Sequence, residues 1–171
     1  GPTGELWFGT NGGVQSFDRA SGGFERFVHD VADPDSLRHD EIRGVHKQTD
    51  GKIWIGTLGG GLNRRGPDTG RCLTNRHDPS DPESLCSDFV RVIHEDRRGR
   101  MWIGTQGGGL GLFDPATGGW RAFRHDPDDP RTPSSDYVFC IWEEASGSLW
   151  LGAYAGGLDR FDPATGRVRR Y

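Results

Sequence analysis

Met101-Trp102-Ile103-Gly104-Thr105 is one of four versions of a single pentapeptide. Leu6-Trp7-Phe8-Gly9-Thr10 and Ile53-Trp54-Ile55-Gly56-Thr57 precede it, and Leu149-Trp150-Leu151-Gly152-Ala153 follows. The tryptophans lie 47, 48 and 48 residues apart, and the one missing residue falls where Gly12-Gly13 replaces the triplets Gly59-Gly60-Gly61 and Gly107-Gly108-Gly109. Other landmarks keep the same phase, among them Phe113-Asp114-Pro115 with Phe161-Asp162-Pro163, and His29-Asp30 with His77-Asp78 and His125-Asp126. A fixed period of this length is the mark of a repeat architecture. The repeat units run 1–52, 53–100, 101–148 and 149–171, about three and a half in all.

Within a unit every local pattern is that of a strand or a turn. Residues 89–95 (Phe-Val-Arg-Val-Ile-His-Glu) are rich in β-branched and aromatic types, and Asp96 to Gly99 reads as a turn into Met101-Trp102-Ile103. The glycines at 107–109 allow a second reversal into Leu110 to Phe113, and Asp114-Pro115-Ala116-Thr117-Gly118 makes a third before Trp120. No window carries a helical period. Four short antiparallel strands, here a to d, recur every ~40 to 50 residues, which predicts an all-β fold of β-propeller blades, incomplete in this chain. A parallel β-helix is the alternative, but its turns are shorter and it lacks the three hairpin reversals. In a propeller, strand a is innermost and the aligned tryptophans pack between blades, a simpler reading than a ligand-stacking ladder.

These residues resemble the two-component regulator propeller repeat. The resemblance is carried by Val92-Ile93-His94-Glu95-Asp96, two arginines, Gly99, then Trp102-Ile103-Gly104-Thr105, Gly108-Gly109-Leu110 and Phe113-Asp114-Pro115, with related matches along the whole chain. Three places depart from it: Gln48-Thr49-Asp50 stands where Glu-Asp is usual, Arg65-Gly66 where Phe-Asp is expected, and Ala153 closes strand b of the fourth unit. The resemblance implies a sensor segment from the extracytoplasmic, or periplasmic, region of a hybrid two-component histidine kinase. There such repeats usually build paired propellers. It also implies that the kinase chemistry lies elsewhere in a parent protein, whose remaining blades would be this segment's neighbours.

Composition narrows the function. Twenty-one Lys and Arg against 25 Asp and Glu leave a formal charge of -4, which argues against nucleic acid as a partner, because binding phosphates needs a basic surplus. Twenty-eight glycines strain the composition toward low complexity, but six tryptophans argue against disorder. No apolar run reaches the ~18 residues of a membrane span and no leader pattern opens the chain, so direct membrane insertion is not expected. The start at Gly1 suggests a piece of something longer.

Most chemistry-bearing motifs have a structural explanation. The His-Asp pairs sit in separate units, where Asp and Pro are turn formers, and cannot converge on one ion. Asp126 to Asp129 lacks the spacing of a calcium loop. The glycine triplets precede a strand, whereas a phosphate loop precedes a helix. Cys72, Cys86 and Cys140 hold three different places in the unit with no zinc spacing, and Cys72 and Cys86 are expected near opposite faces, too far apart for a disulfide. Glu95-Asp96 and Glu143-Glu144 fall at a-to-b turns, where solvent exposure is ordinary. No catalytic constellation, metal or cofactor is expected.

One set of positions varies in a way a binding surface requires. After each Gly-Thr or Gly-Ala come Asn11, Leu58, Gln106 and Tyr154. At the start of strand a stand Glu41, Phe89 and Tyr137, followed two residues on by Arg43, Arg91 and Phe139. Antiparallel alternation puts the b-to-c and d-to-a loops on one face, so these residues are expected near the central channel. Aromatics beside arginines and amides suit a small carbohydrate or an anion. The competing explanation is ordinary surface drift between repeats. The expected function is therefore ligand sensing without catalysis. A propeller-type glycan hydrolase or lyase and a protein-interaction scaffold are the alternatives. With blades missing at its open ends, the isolated chain is expected to self-associate.

Overall fold

The computed structural model describes residues 4–66 and 70–171. Among the described residues there are fifteen strands and no helix. The first blade holds β1 (Glu5–Thr10), β2 (Gly13–Asp18) and β3 (Phe24–Phe27). The second holds β4 (Ile42–Lys47), β5 (Ile53–Thr57), β6 (Leu62–Arg65) and β7 (Cys72–Asn75). The third holds β8 (Val90–Glu95), β9 (Met101–Thr105), β10 (Leu110–Phe113) and β11 (Trp120–Phe123), and the fourth β12 (Val138–Glu143), β13 (Leu149–Ala153), β14 (Gly157–Asp162) and β15 (Arg167–Arg170). Each blade is an antiparallel meander in chain order, as the alternation of strand and turn signals predicted. The first has three strands because the chain provides strands b, c and d there without strand a. The inner strands β4, β8 and β12 lie side by side, which sets the blades radially around a common axis.

The tryptophans join one blade to the next. Trp54 meets Phe113 and Trp120 of the third blade edge-on, at ring-centroid distances of 5.2 and 6.4 Å. Trp102 meets Phe161 of the fourth at 5.5 Å. Both indoles are fully buried, whereas Trp7 and Trp150 are half-buried. The expectation of burial thus holds fully only for the inner pair. Trp150 lies in the last of the described blades, and opposite Trp7 the second blade offers Arg65 where the others offer phenylalanine. Arg65 answers that departure by laying its guanidinium 4.3 Å over the Phe27 ring, which itself stacks on Trp7.

Each of the later three indoles also donates to an acceptor six residues earlier. Trp54 Nε1 donates to Gln48 Oε1 at 2.7 Å, Trp102 to Asp96 Oδ2 at 2.9 Å and Trp150 to Glu144 Oε2 at 3.1 Å. Here the sequence-based expectation needs correction. Asp96 is not an exposed turn acid but is 4% exposed, accepting from the backbone N–H groups of Arg98 and Arg100 and from the Arg100 guanidinium as well. Burial alone would raise its pKa. Those hydrogen bonds and the Arg100 charge outweigh it and hold the carboxyl below its ordinary value. Glu143 is likewise largely covered, facing His94 of the neighbouring blade at 3.8 Å, as Glu95 faces His46 at 2.8 Å.

The His-Asp pairs organise the d-to-a loops. His77 Nδ1 lies 2.8 Å from the Leu85 carbonyl and His125 Nδ1 2.8 Å from that of Pro133, while Asp78 and Asp126 accept from backbone N–H groups two residues on. Cys72 and Cys86 are buried and Cys140 is exposed, all as free thiols, with burial pushing Cys86 up to about 11.

Candidate functional site

The b-to-c turn of one blade is tied to the loop that starts the next. Gly59 and Gly61 donate to the Asp88 carbonyl at 3.1 and 2.9 Å, and Gly107 and Gly109 to that of Asp136 at 3.0 and 2.9 Å. Leu58 consequently bridges to Phe89, and Gln106 to Tyr137. The two sets of variable positions therefore meet on one face, at the inner strands.

A device that the sequence reading did not find aims the inner residues. Each strand a carries a register shift against strand b, between Ile42 and Gly44, Val90 and Val92, and Val138 and Cys140. The extra residues are Arg43, Arg91 and Phe139. A bulge leaves one residue out of the ladder and turns its side chain away from the regular pleat. The sequence around Arg91 reads as plain alternation, so nothing in it announces the bulge.

Five of the ten candidates form a cluster across the third and fourth blades. The Arg91 Nε and Nη2 groups donate to Gln106 Oε1 at 3.1 and 2.5 Å, and its guanidinium lies 5.0 Å over the Phe139 ring. Phe139 in turn is 5.8 Å from Tyr154, which is 6.3 Å from Tyr137. Tyr137, Phe139 and Tyr154 are all exposed. Phe89 and Leu58 continue the surface toward the second blade. Glu41 and Arg43 are spent on an ion pair with each other, and Asn11 sits exposed on the first blade. Among the described residues no contact joins these three to the cluster.

A cleft of about 290 Å³ opens beside Tyr137 and Tyr154, walled also by His125, Ser134, Ser135, Asp136 and Ala155. The sequence reading placed His125 in a structural loop and left out Ala155. Ala155 has φ 59°, where the equivalent turn positions are Gly59 and Gly107 at 103° and 87°. Thr57 and Thr105 clamp their turns through hydroxyl bonds of 2.8 Å to Gly61 and Gly109, a bond Ala153 cannot make. A non-glycine residue held in this region stores strain of the kind that collects at binding sites. Ala155→Gly is accordingly expected to raise stability by roughly 0.5 to 1 kcal/mol, after subtracting the added freedom of the unfolded chain. Urea unfolding checks it, and a loss of stability would mean that the turn is not strained.

A larger cleft of about 500 Å³ lies among the a-to-b and c-to-d turns, lined in part by Lys52, Trp54, Arg64 and Phe113. Of its four cations, Lys52 is paired with Asp50, Arg64 stacks on Trp54 and Arg100 is paired with Asp96, so structural contacts account for three, with Arg98 the fourth.

Radial four-stranded blades and a face of variable inner residues define the chain as part of a β-propeller. The family model described as two component regulator propeller matches residues 84–107, one repeat's worth of the chain's inner strand and pentapeptide. No curated protein matches the chain. Among solved structures it is similar to the extracellular domain of a hybrid two component system from B. thetaiotaomicron, at 26% identity and a TM-score of 0.84, over 98% of this chain and 23% of that one. A second extracellular domain from the same organism, described as that of a one component system, aligns at 23% identity with a TM-score of 0.75 over 96% of this chain and 23% of that one. Virginiamycin B lyase from Staphylococcus aureus, at 18% identity and a TM-score of 0.68, covers 99% of this chain and 52% of that one and shares the fold alone. The chain thus spans about a quarter of the length of the two extracellular domains.

Proposed function

We propose that the chain is a ligand-sensing segment of an extracytoplasmic signal receptor and does no chemistry itself. The observation that carries this reading is the bulge-aimed cluster of Arg91, Gln106, Phe139 and the two tyrosines. Framework positions repeat because every blade needs the same packing, and this cluster occupies the positions where the repeats differ. Three of the five guanidinium N–H donors of Arg91 are not used within the described residues, and Tyr137 and Tyr154 offer stacking planes. That combination suits a small carbohydrate or a carboxylate- or sulfate-bearing ligand. The likeness to extracellular domains of two-component systems supports a place outside the cytoplasm. Binding across two blades would favour one arrangement of the parent receptor over another, and the signal is that shift in population.

The test is calorimetric titration with a neutral oligosaccharide, a sulfated sugar and a carboxylated sugar, each against wild type and Arg91→Ala. A charge-assisted bond of ~1.5 to 3 kcal/mol predicts that the substitution weakens the anionic ligands roughly 10- to 100-fold. Tyr154→Ala should weaken all three. Ligands that bind equally well to both variants would remove the cluster from the account.

A further inference from the structure

The cleft of about 500 Å³ at the a-to-b and c-to-d turns lies on the face opposite the Arg91 cluster, between the second and third blades. Both are complete four-stranded sheets, so its walls do not depend on either end of the chain. Lys52, Arg64, Arg98 and Arg100 line it against a single carboxylate, Asp50. Asp50 pairs with Lys52 at 2.5 Å and is held below its ordinary pKa chiefly by that contact, with the Arg64 charge the least of its influences.

The unusual Gln48 explains why Arg64 lacks a counter-charge. Gln48 and Glu144 hold one repeat position, and Arg64 and Arg160 another. In the fourth blade Glu144 accepts from Trp150 Nε1 and also pairs with the Arg160 guanidinium. In the second blade Gln48 accepts from Trp54 Nε1 at 2.7 Å but has no charge to offer Arg64. Arg64 lies instead over Trp54 and Phe113, at 5.2 and 5.8 Å. Stacking fixes a guanidinium through its face and leaves its five N–H donors at the edge. Among the described residues none of those five has an acceptor, and the Arg98 side chain has no partner. Arg100 uses only its Nε, on Asp96 at 2.6 Å. At the next joint the matching places carry Leu112 for Arg64, Ser146 for Arg98 and Ser148 for Arg100, so seating blade on blade does not require these cations.

We propose that this cleft is a second binding site, for an organic phosphate or sulfate ester whose oxyanion is held by Arg64, Arg98 and Arg100. Guanidinium groups gathered in one cleft repel each other, and a multiply charged anion relieves that repulsion. Several forks of N–H donors suit a tetrahedral group with three free oxygens better than a carboxylate with two. The cleft is larger than one such group, and Phe113 and Pro115 give the rest of the ester an apolar wall.

Calorimetric titration of the purified chain at fixed ionic strength tests this, with glucose 6-phosphate, glucose 6-sulfate, inorganic phosphate and glucose as probes. Both esters should bind, inorganic phosphate more weakly and glucose not at all. Arg64→Leu and Arg98→Ser, which install the residues of the neighbouring repeats, should each weaken the esters roughly 10-fold or more. Gln48→Glu should do the same without removing any cation, because it gives Arg64 the partner that Arg160 has and keeps the acceptor for Trp54. That variant decides the matter if Arg64→Leu fails to fold. Esters that bind no better than glucose, inorganic phosphate that binds as tightly as the esters, or ester affinity unchanged by Gln48→Glu would overturn the proposal. Loss of binding confined to Arg91→Ala would move the esters to the other face and overturn it equally.

Discussion

Replacing Trp102 with alanine is expected to lower the unfolding free energy by ~3 to 5 kcal/mol, the range for emptying a fully buried large aromatic site. The indole is 0% exposed and sits between Phe123 of its own blade, at 6.0 Å, and Phe161 of the next, at 5.5 Å. Those neighbours belong to two sheets and cannot both move in to fill the space. The loss has a second part, because the indole N–H is one of the donors that satisfy the buried Asp96 carboxylate. A buried acceptor deprived of a donor is costly in itself. Trp102→Phe keeps an apolar ring but removes the donor and part of the ring volume, and should fall between wild type and alanine. Trp150→Ala should cost clearly less in this chain, because Trp150 is only half-buried. Urea denaturation of the variants gives all three values. A loss under ~1 kcal/mol for Trp102→Ala would contradict its place in the core.

The blades were legible because one pentapeptide and its flanking turns return four times in phase, so each strand was read against two or three others. The inner and outer order of the strands followed from the hairpins. What could not be read was which side chains meet between units. That Arg65 replaces a phenylalanine was visible, but not that it rests on Phe27, far away in sequence. Asp96 looked like a turn residue because its neighbours are charged, and only the fold shows the indole and the two backbone N–H groups around it. A hint was present: Gln48, Asp96 and Glu144 all offer an oxygen at the same offset before a tryptophan. The candidate surface was half legible. Variation between repeats singled out Arg91, Gln106, Tyr137, Phe139 and Tyr154 among ten positions, and the fold brings these five together. The bulges that aim Arg91 and Phe139 are a property of backbone pairing, and the strained turn at Ala155 shows only once its φ is known.

The glycine of the repeated pentapeptide gives the second large effect, and its reason is steric. Gly104 does not have the positive φ that would demand glycine, so any residue could adopt its backbone. A Cβ there would nevertheless lie 2.6 Å from Val92 Cγ1, 2.9 Å from Val138 Cγ1 and 2.7 Å from the Val138 carbonyl oxygen. The first two are side-chain tips that can shift. The third is backbone of the next blade's inner strand, which can withdraw only if the two blades part. Gly104→Ala is therefore expected to cost ~1 to 3 kcal/mol, and Gly104→Val more, although valine is the better strand former. The molecule carries its own control. At Gly152, the same position in the fourth blade, the nearest atom to an added Cβ is the Cys140 sulfur, a side-chain atom of the same sheet, and among the described residues no backbone atom comes within 4 Å of it. Gly152→Ala should accordingly be milder than Gly104→Ala. If the two substitutions shift the urea midpoint equally, the pentapeptide glycine serves the strand itself. A larger loss at Gly104 means that it serves the joint between blades, which explains why glycine stands there in all four repeats while the residues around it change.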